Sequence, residues 1–184
     1  MVIGGIDPSL SNFGLAKGTY TNGAFSLSDL LLQQTAPDNK NKKQVRKNSD
    51  DLCRAKLLVE ATNNFLADVD IIIAEIPVGS QSSRASVSYG VCVGILASIR
   101  RPIIQVMPNE VKLISVGSKT ASKADMIKWA TTAYPKANWL TKKQHGVISY
   151  VDKNEHLADA VAAIHAGIAT DTFQQLLLFN RSIA

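Results

Sequence analysis

Val2-Ile3-Gly4-Gly5-Ile6-Asp7-Pro8 decides the fold. An apolar run ending on an acid and a proline predicts a buried strand with Asp7 at its tip. Ile71-Ile72-Ile73-Ala74-Glu75 has the same form, with Pro77 just beyond. Unbroken apolar runs of this kind belong to strands covered on both faces. A carboxylate at the end of such a strand is costly unless a cation meets it. A third site lies near the start of an Ala-rich helix, where His156 and Asp159 are three apart and project together. Acids delivered to one place by two strands and a helix point to a divalent metal site and to phosphoryl chemistry.

Outward from these segments, the first third reads as an antiparallel meander. Strands are expected at 2–7, 14–20 and 24–32, the last two joined by Asn22-Gly23, a hairpin signal. Residues 36–48 read as a lysine-rich loop. Ser49-Asp50-Asp51 then reads as the cap and acidic first turn of a helix reaching Leu66, with Leu52, Ala55, Leu58 and Val59 as its apolar stripe. Beyond it the pattern is α/β: strand 70–75, helix 83–99, strand 103–107, and short helices capped by Asn109 and Ser122. Residues 135–153 read as a long irregular stretch, a length usually functional. A helix follows over 154–170, and residues 173–179 form an apolar coda that packs back or meets a partner. The expected architecture is one mixed sheet with helices on it.

The 184 residues suit one domain, and a 46% hydrophobic content is ordinary for a globular protein. The net charge of +5 suits a polyanionic partner. Cys53 and Cys92 both fall in predicted helices and read as buried thiols of a reducing compartment, with no zinc spacing. The longest uncharged stretch, 85–99, is short of the roughly 20 apolar residues of a membrane span. A protein without membrane contact, located in the cytoplasm, is expected.

On the last helix, Leu157, Val161, Ile164 and Ile168 form one stripe. Glu155, His156, Asp159, Ala162, Ala163 and Ala166 form the other side. A solvated face would carry charge throughout, so this helix is expected to be covered on both sides, with its acid end facing a cleft. Simpler readings exist: Asp7-Pro8 as a turn initiator, and His156 with Asp159 as a helix cap plus a solvated acid. Glu75, ending three isoleucines with no lysine nearby in sequence, resists them. Lys123 falls in a helix first turn, where the dipole disfavours a cation unless a phosphate sits there. Gly117-Ser118-Lys119-Thr120 lacks the upstream glycine and Gly-Lys step of a P-loop.

Taken together, Ile3-Gly4-Gly5-Ile6-Asp7-Pro8-Ser9, Ile73-Ala74-Glu75, Val111-Lys112 with Gly117 and Ser122-Lys123, and His156-Leu157-Ala158-Asp159-Ala160 resemble the RuvC family of Holliday-junction resolvases. The match is collinear over roughly residues 1–168. The resemblance implies an α/β, ribonuclease H-like fold: a mixed five-stranded sheet, three antiparallel meander strands then parallel strands, with helices on both faces. It places a nuclease domain at 1–170 and an extension at 171–184. It implies that Asp7, Glu75 and Asp159 are metal-binding catalytic acids. His156 stands where many members carry another acid and some carry histidine. Lys112 and Lys123 match two basic positions near the scissile strand. Two Mg²⁺ ions per site are implied, with Mn²⁺ able to substitute. Two departures stand out: Ser9 replaces the usual glycine after Asp-Pro, and Val78 with residues 79–83 stands where many resolvases carry a stacking aromatic.

Two features stay open on the residues alone. Lys40, Lys42, Lys43, Arg46 and Lys47 either track a DNA backbone or form a solvated loop. Ser86, Tyr89, Gly90, Gly94 and Ala97 make one side of a helix small, for packing on the sheet or against a second subunit; the resemblance implies a two-fold homodimer. The expected function is a Mg²⁺-dependent, structure-selective endonuclease that cuts Holliday junctions or other branched DNA. A catalytically weakened branched-DNA-binding protein of the same fold is the alternative, and a sugar-kinase-like phosphotransferase has no room for its second domain.

Overall fold

The computed structural model describes residues 1–38, 44–76, 79 and 82–183, with side chains at 44–46 and 180–183 left aside. Strands β1 (Val2–Asp7), β2 (Asn12–Thr21) and β3 (Ala24–Gln34) form the antiparallel meander. Asn22 and Gly23 turn between β2 and β3 at φ 53° and 85°, the left-handed pair such a hairpin needs. Strands β4 (Ile71–Glu75) and β5 (Ile103–Val106) then add in parallel, giving the order β3-β2-β1-β4-β5. Their registers pair Ile6 with Ala74, so Asp7 and Glu75 each lie one step beyond that pair.

The pleat splits the core in two. Ile3, Ile71, Ile73 and Ile104 face α5 (Asn154–Ile168), flanked by α3 (Pro108–Val116) and α4 (Lys123–Ala133). Ile6, Phe13, Leu15 and Ile72 face the other way, toward Leu58 and Leu66 and toward Cys92, Ile95 and Leu96. Those come from α1 (Gln44–Phe65), the residue just after it, and α2 (Ser83–Ser98). Helices thus cover both faces, and α5 is buried almost along its whole length, as its alanines suggest.

Two glycines let α5 come this close. A Cβ on Gly5 would stand 2.1 Å from the Ala160 carbonyl oxygen, and one on Gly14 would stand 2.1 Å from that of His156. No side chain fits at that separation. The glycines set the height of α5 above the sheet, and so the reach of His156 toward β1.

The structure corrects several expectations. Helix α1 begins at Gln44, so Ser49 lies inside it and caps nothing. Residues 44–48 contain no helix breaker, and Asp51 is engaged with Arg84 rather than with a helix end. Leu52 is exposed on that helix, as is Cys53; only Cys92 is a buried thiol. Met107, not Asn109, caps α3, its N–H donating to Glu110 Oε2 at 2.8 Å. Ser122 caps α4 as expected, reciprocally with Asp125.

The stretch read as irregular holds a second, two-stranded sheet. Strands β6 (Thr141–Gln144) and β7 (Val147–Tyr150) are joined by His145-Gly146 at φ 50° and 82°. Buried Asn154, the first residue of α5, closes its base: the side chain accepts from Leu140 N–H and donates to Leu140 C=O. The apolar coda is helical, α6 (Asp171–Ile183), and packs back through buried Phe173, edge-on to Tyr20. No helix of the described residues is long and apolar enough to cross a membrane.

Candidate active site

The end of the sheet where β1 and β4 stop receives the first turns of α5. His156 Nδ1 lies 2.7 Å from Asp7 Oδ2, across 149 residues of chain. Its other ring nitrogen, Nε2, is 3.4 Å from Glu155 Oε1, which also accepts from Lys123 Nζ at 2.8 Å. Asp7, Glu155 and His156 are all less than one-fifth exposed at the side chain, whereas Lys123 stands largely in solvent.

Burial and mutual charge shift these groups as one crowded cluster. Burial, then the charges of Asp7 and Glu75, pushes Asp159 up to about 8. Burial, then Asp7, pushes Glu75 up to about 7, with the Lys112 ammonium opposing. Asp7 is raised by burial, against the bond to His156. For His156, burial works against the cation, but the bond and charge of Asp7, then Glu155 and Asp159, outweigh it and raise the imidazole. The four expected groups therefore act on one another, and Lys112 and Lys123 border them.

Among the described residues, two buried carboxylate oxygens here, Asp159 Oδ1 and Glu155 Oε2, find no hydrogen-bond partner. A buried acceptor without a donor costs about 1–3 kcal/mol, and more when charged. A cation beside Asp159 would remove that cost. Among the described residues, no group of three or more His, Cys, Asp or Glu side chains is already placed as a metal cage. Carboxylates repel at short range, and Asp7 turns to His156. In kind, three carboxylates and an imidazole fit an oxygen-loving divalent ion that keeps some of its water.

Lys40, Lys42 and Lys43 lie outside the described residues, as does Val78. Arg46 and Lys47 fall in the first turn of α1 rather than a loop, with Lys47 exposed. Glu155 is legible in the sequence only as a helix-terminal acid, yet it links Lys123 to His156. A groove of about 720 Å³ beside it, between α4 and the start of α5, is lined by Asn12, Lys123, Lys128, Tyr150, Lys153 and His156 among others. Four of those, Asn12, Lys128, Tyr150 and Lys153, belong to no sequence motif.

A mixed five-stranded sheet of this order, with a carboxylate-bearing helix laid across its first and fourth strands, is the ribonuclease H-like fold of the RuvC resolvases. RuvC of T. thermophilus in complex with a Holliday junction substrate is similar at TM-score 0.63 and 19% identity, over 92% of this chain and 93% of that one. A second Thermus thermophilus RuvC structure is similar at TM-score 0.57 and 20% identity, with the same coverage. The Fowlpox virus resolvase, in complex with its Holliday junction DNA, is similar at TM-score 0.50 and 17% identity, over 97% and 99% of the two chains. Neither a family model nor a curated protein matches the sequence.

Proposed function

We propose that this chain is a Mg²⁺-dependent, structure-selective endodeoxyribonuclease that hydrolyses phosphodiester bonds in Holliday junctions or other branched DNA. One observation carries the reading. Asp7, Glu75 and Asp159 come from β1, β4 and α5 into one desolvated cluster, where Asp159 keeps a buried oxygen without a donor. The shared fold of structures that hold Holliday junctions supports DNA as the substrate class.

Asp7, Glu75 and Asp159 would hold two magnesium ions, and His156 would ligate the second or orient a water. Bound there, the ions would lower the pKa of the attacking water and neutralise charge at the leaving oxygen. Lys112, already within the field of Glu75, and Lys123, on the first turn of α4, would clamp the scissile phosphate. Because Glu75 and Asp159 sit near 7 and 8, each must lose its proton to ligate, so metal affinity should rise from pH 6 to 8.

A symmetric homodimer fits the open side of α2. A Cβ added at Gly90 or Gly94 would meet nothing within 4 Å among the described residues, and Val87 and Val93 beside them are about half exposed. Two sites on one two-fold axis would make paired cuts in a symmetric junction. We assign residues 1–170 to the nuclease domain and treat 171–184 as its extension.

The test is a panel of four-way junctions, forks and flaps with strand-specific labels, incubated with Mg²⁺ or Mn²⁺. Metal-dependent nicking near the branch by the wild type, lost in Glu75→Gln, supports the reading. Retarded but uncut DNA under every metal would assign the chain to the catalytically weakened binder instead.

A further inference from the structure

The hairpin of β6 and β7 stands out from the body with both faces in solvent. Its register places Lys143 opposite Ile148 and Thr141 opposite Tyr150, so Lys143, Ile148 and Tyr150 share one face. Ile148 is 68% exposed and Tyr150 44%, and Tyr150 also lines the groove that ends at His156. Solvent-facing apolar and aromatic side chains on so short a ribbon need a reason, because isolated hairpins are marginal even without them.

Charge chooses the occupant. From 141 to 153 the chain carries Lys142, Lys143 and Lys153 against Asp152 alone. Lys123 and Lys128 continue this basic lining down the groove toward the acids, although Glu155 and Asp152 line it too. A lysine-bordered track with an exposed aromatic suits a single nucleic-acid strand, whose phosphates meet the ammonium groups and whose bases stack on the ring. Its position is fixed relative to the chemistry, since Asn154 clamps the hairpin base and is followed directly by Glu155 and His156.

We propose that the β6–β7 hairpin and the groove at its base form a track for the unpaired DNA strand that leaves the scissile phosphate, with Tyr150 stacking a base. This rests on the proposed nuclease reading and names which part of the substrate that site holds. The track gives the site a preference for substrates whose strands can separate at the cut.

Fluorescence anisotropy of a labelled four-way junction and of a 12-nucleotide single strand, in Ca²⁺ to prevent cutting, tests this. Tyr150→Ala should weaken both roughly 5- to 150-fold, the range one stacked base is worth, and Tyr150→Phe should restore affinity. Lys143→Ala, on the same face as Tyr150, should flatten the dependence of log affinity on log salt by about 0.7 for the single strand. Thermal melts must match the wild type, which exposed hairpin positions permit. Unchanged affinity and salt slope, in a wild type that cuts junctions, would overturn the track and leave the nuclease reading standing. A wild type that binds no DNA would sink both. Loss of a dimer in Ile148→Asp, with DNA affinity intact, would hand the surface to a second copy and also overturn it.

Discussion

Two buried aspartate sites on opposite faces of the sheet have opposite chemistry. On the α1–α2 face, Asp51 accepts from both terminal nitrogens of Arg84 and sits beside buried Arg54. The Arg84 bonds hold its carboxyl below the usual range despite burial. Arg54 in turn donates to Leu10 C=O, Ser11 and Thr35, so the aspartate has its cations and the network ties α2 to α1 and to the loop after β1. On the α5 face, Asp7, Glu75 and Asp159 are pushed up, first by burial and then by the charge of Asp7 for Glu75 and the charges of Asp7 and Glu75 for Asp159. No arginine meets the acids of the α5 face among the bonds of the described residues; His156 alone bonds Asp7 there. The first site holds structure together; the second carries an energetic cost that a bound cation would offset.

Activity should separate the two sites most sharply. Asp159→Asn should lower the rate of junction nicking by more than about 100-fold, beyond the 10- to 100-fold typical of losing a group that only supports a metal ligand. Asp51→Asn should leave the rate of the folded protein unchanged. Single-turnover cleavage below the melting temperature of both variants measures this. Equal losses at the two sites would erase the distinction.

A backbone change reaches the α5 site without touching a charge. Gly14→Ala places a methyl group 2.1 Å from the His156 carbonyl oxygen, so α5 must lift. Overpacking of this kind costs about 1–3 kcal/mol, and backbone leaves less room to yield than a side chain. Urea unfolding should show that loss, and nicking should fall with it as His156 parts from Asp7. Activity retained at full stability would show that the height of α5 is not what assembles the site.

The α1–α2 pair predicts a loss of stability with no loss of chemistry. Asp51→Ala should destabilise by about 2 kcal/mol, below the 3–5 kcal/mol of a fully buried pair because Arg84 is half exposed. The sign in pH follows from its lowered carboxyl. The wild-type advantage is present above the unfolded value of 3.8 and disappears as pH falls through the folded one. Unfolding at pH 7 and at pH 3 measures both.

These contrasts also explain which features are legible in the sequence. Asp7 and Glu75 are visible because a strand buried on both faces has a one-dimensional signature, and its last residue is fixed by the proline that follows. The two-sided burial of α5 is visible in its alanines. The Asp51–Arg84 pair is not, because it joins residues 33 apart with no spacing rule between them. Asp50 and Asp51 read instead as helix-start acids, which displaces the expected start of α1. The second hairpin is hidden because Thr-Lys-Lys-Gln carries no apolar alternation; only His145-Gly146 marks a turn, and it is not one of the Asn-Gly or Asp-Gly pairs that signal a hairpin. Tyr150 and Lys153 join the groove only because that hairpin exists.

The pH dependence of stability is the effect most specific to the raised carboxylates. In metal-free protein Asp159 keeps its proton up to about pH 8, while in the unfolded chain it loses it near 3.8. Between those values the folded state binds more protons than the unfolded one, so stability falls as pH rises. His156 slopes the same way: its raised value stabilises below the unfolded 6.5 and is lost as pH climbs through the folded one. Asp159→Asn removes the larger part of this slope. Its melting temperature in EDTA should therefore match the wild type near pH 4 and exceed it by several degrees at pH 8, since each tenfold change in proton affinity on folding is worth about 1.4 kcal/mol. Magnesium should reverse the order at pH 8, stabilising the wild type by up to about 2.7 kcal/mol at a hundredfold excess over its dissociation constant and the variant far less. If EDTA and magnesium give the same ranking at pH 8, the raised carboxyl reflects burial alone, and the α5 face resembles the α1–α2 face more closely than its chemistry suggests.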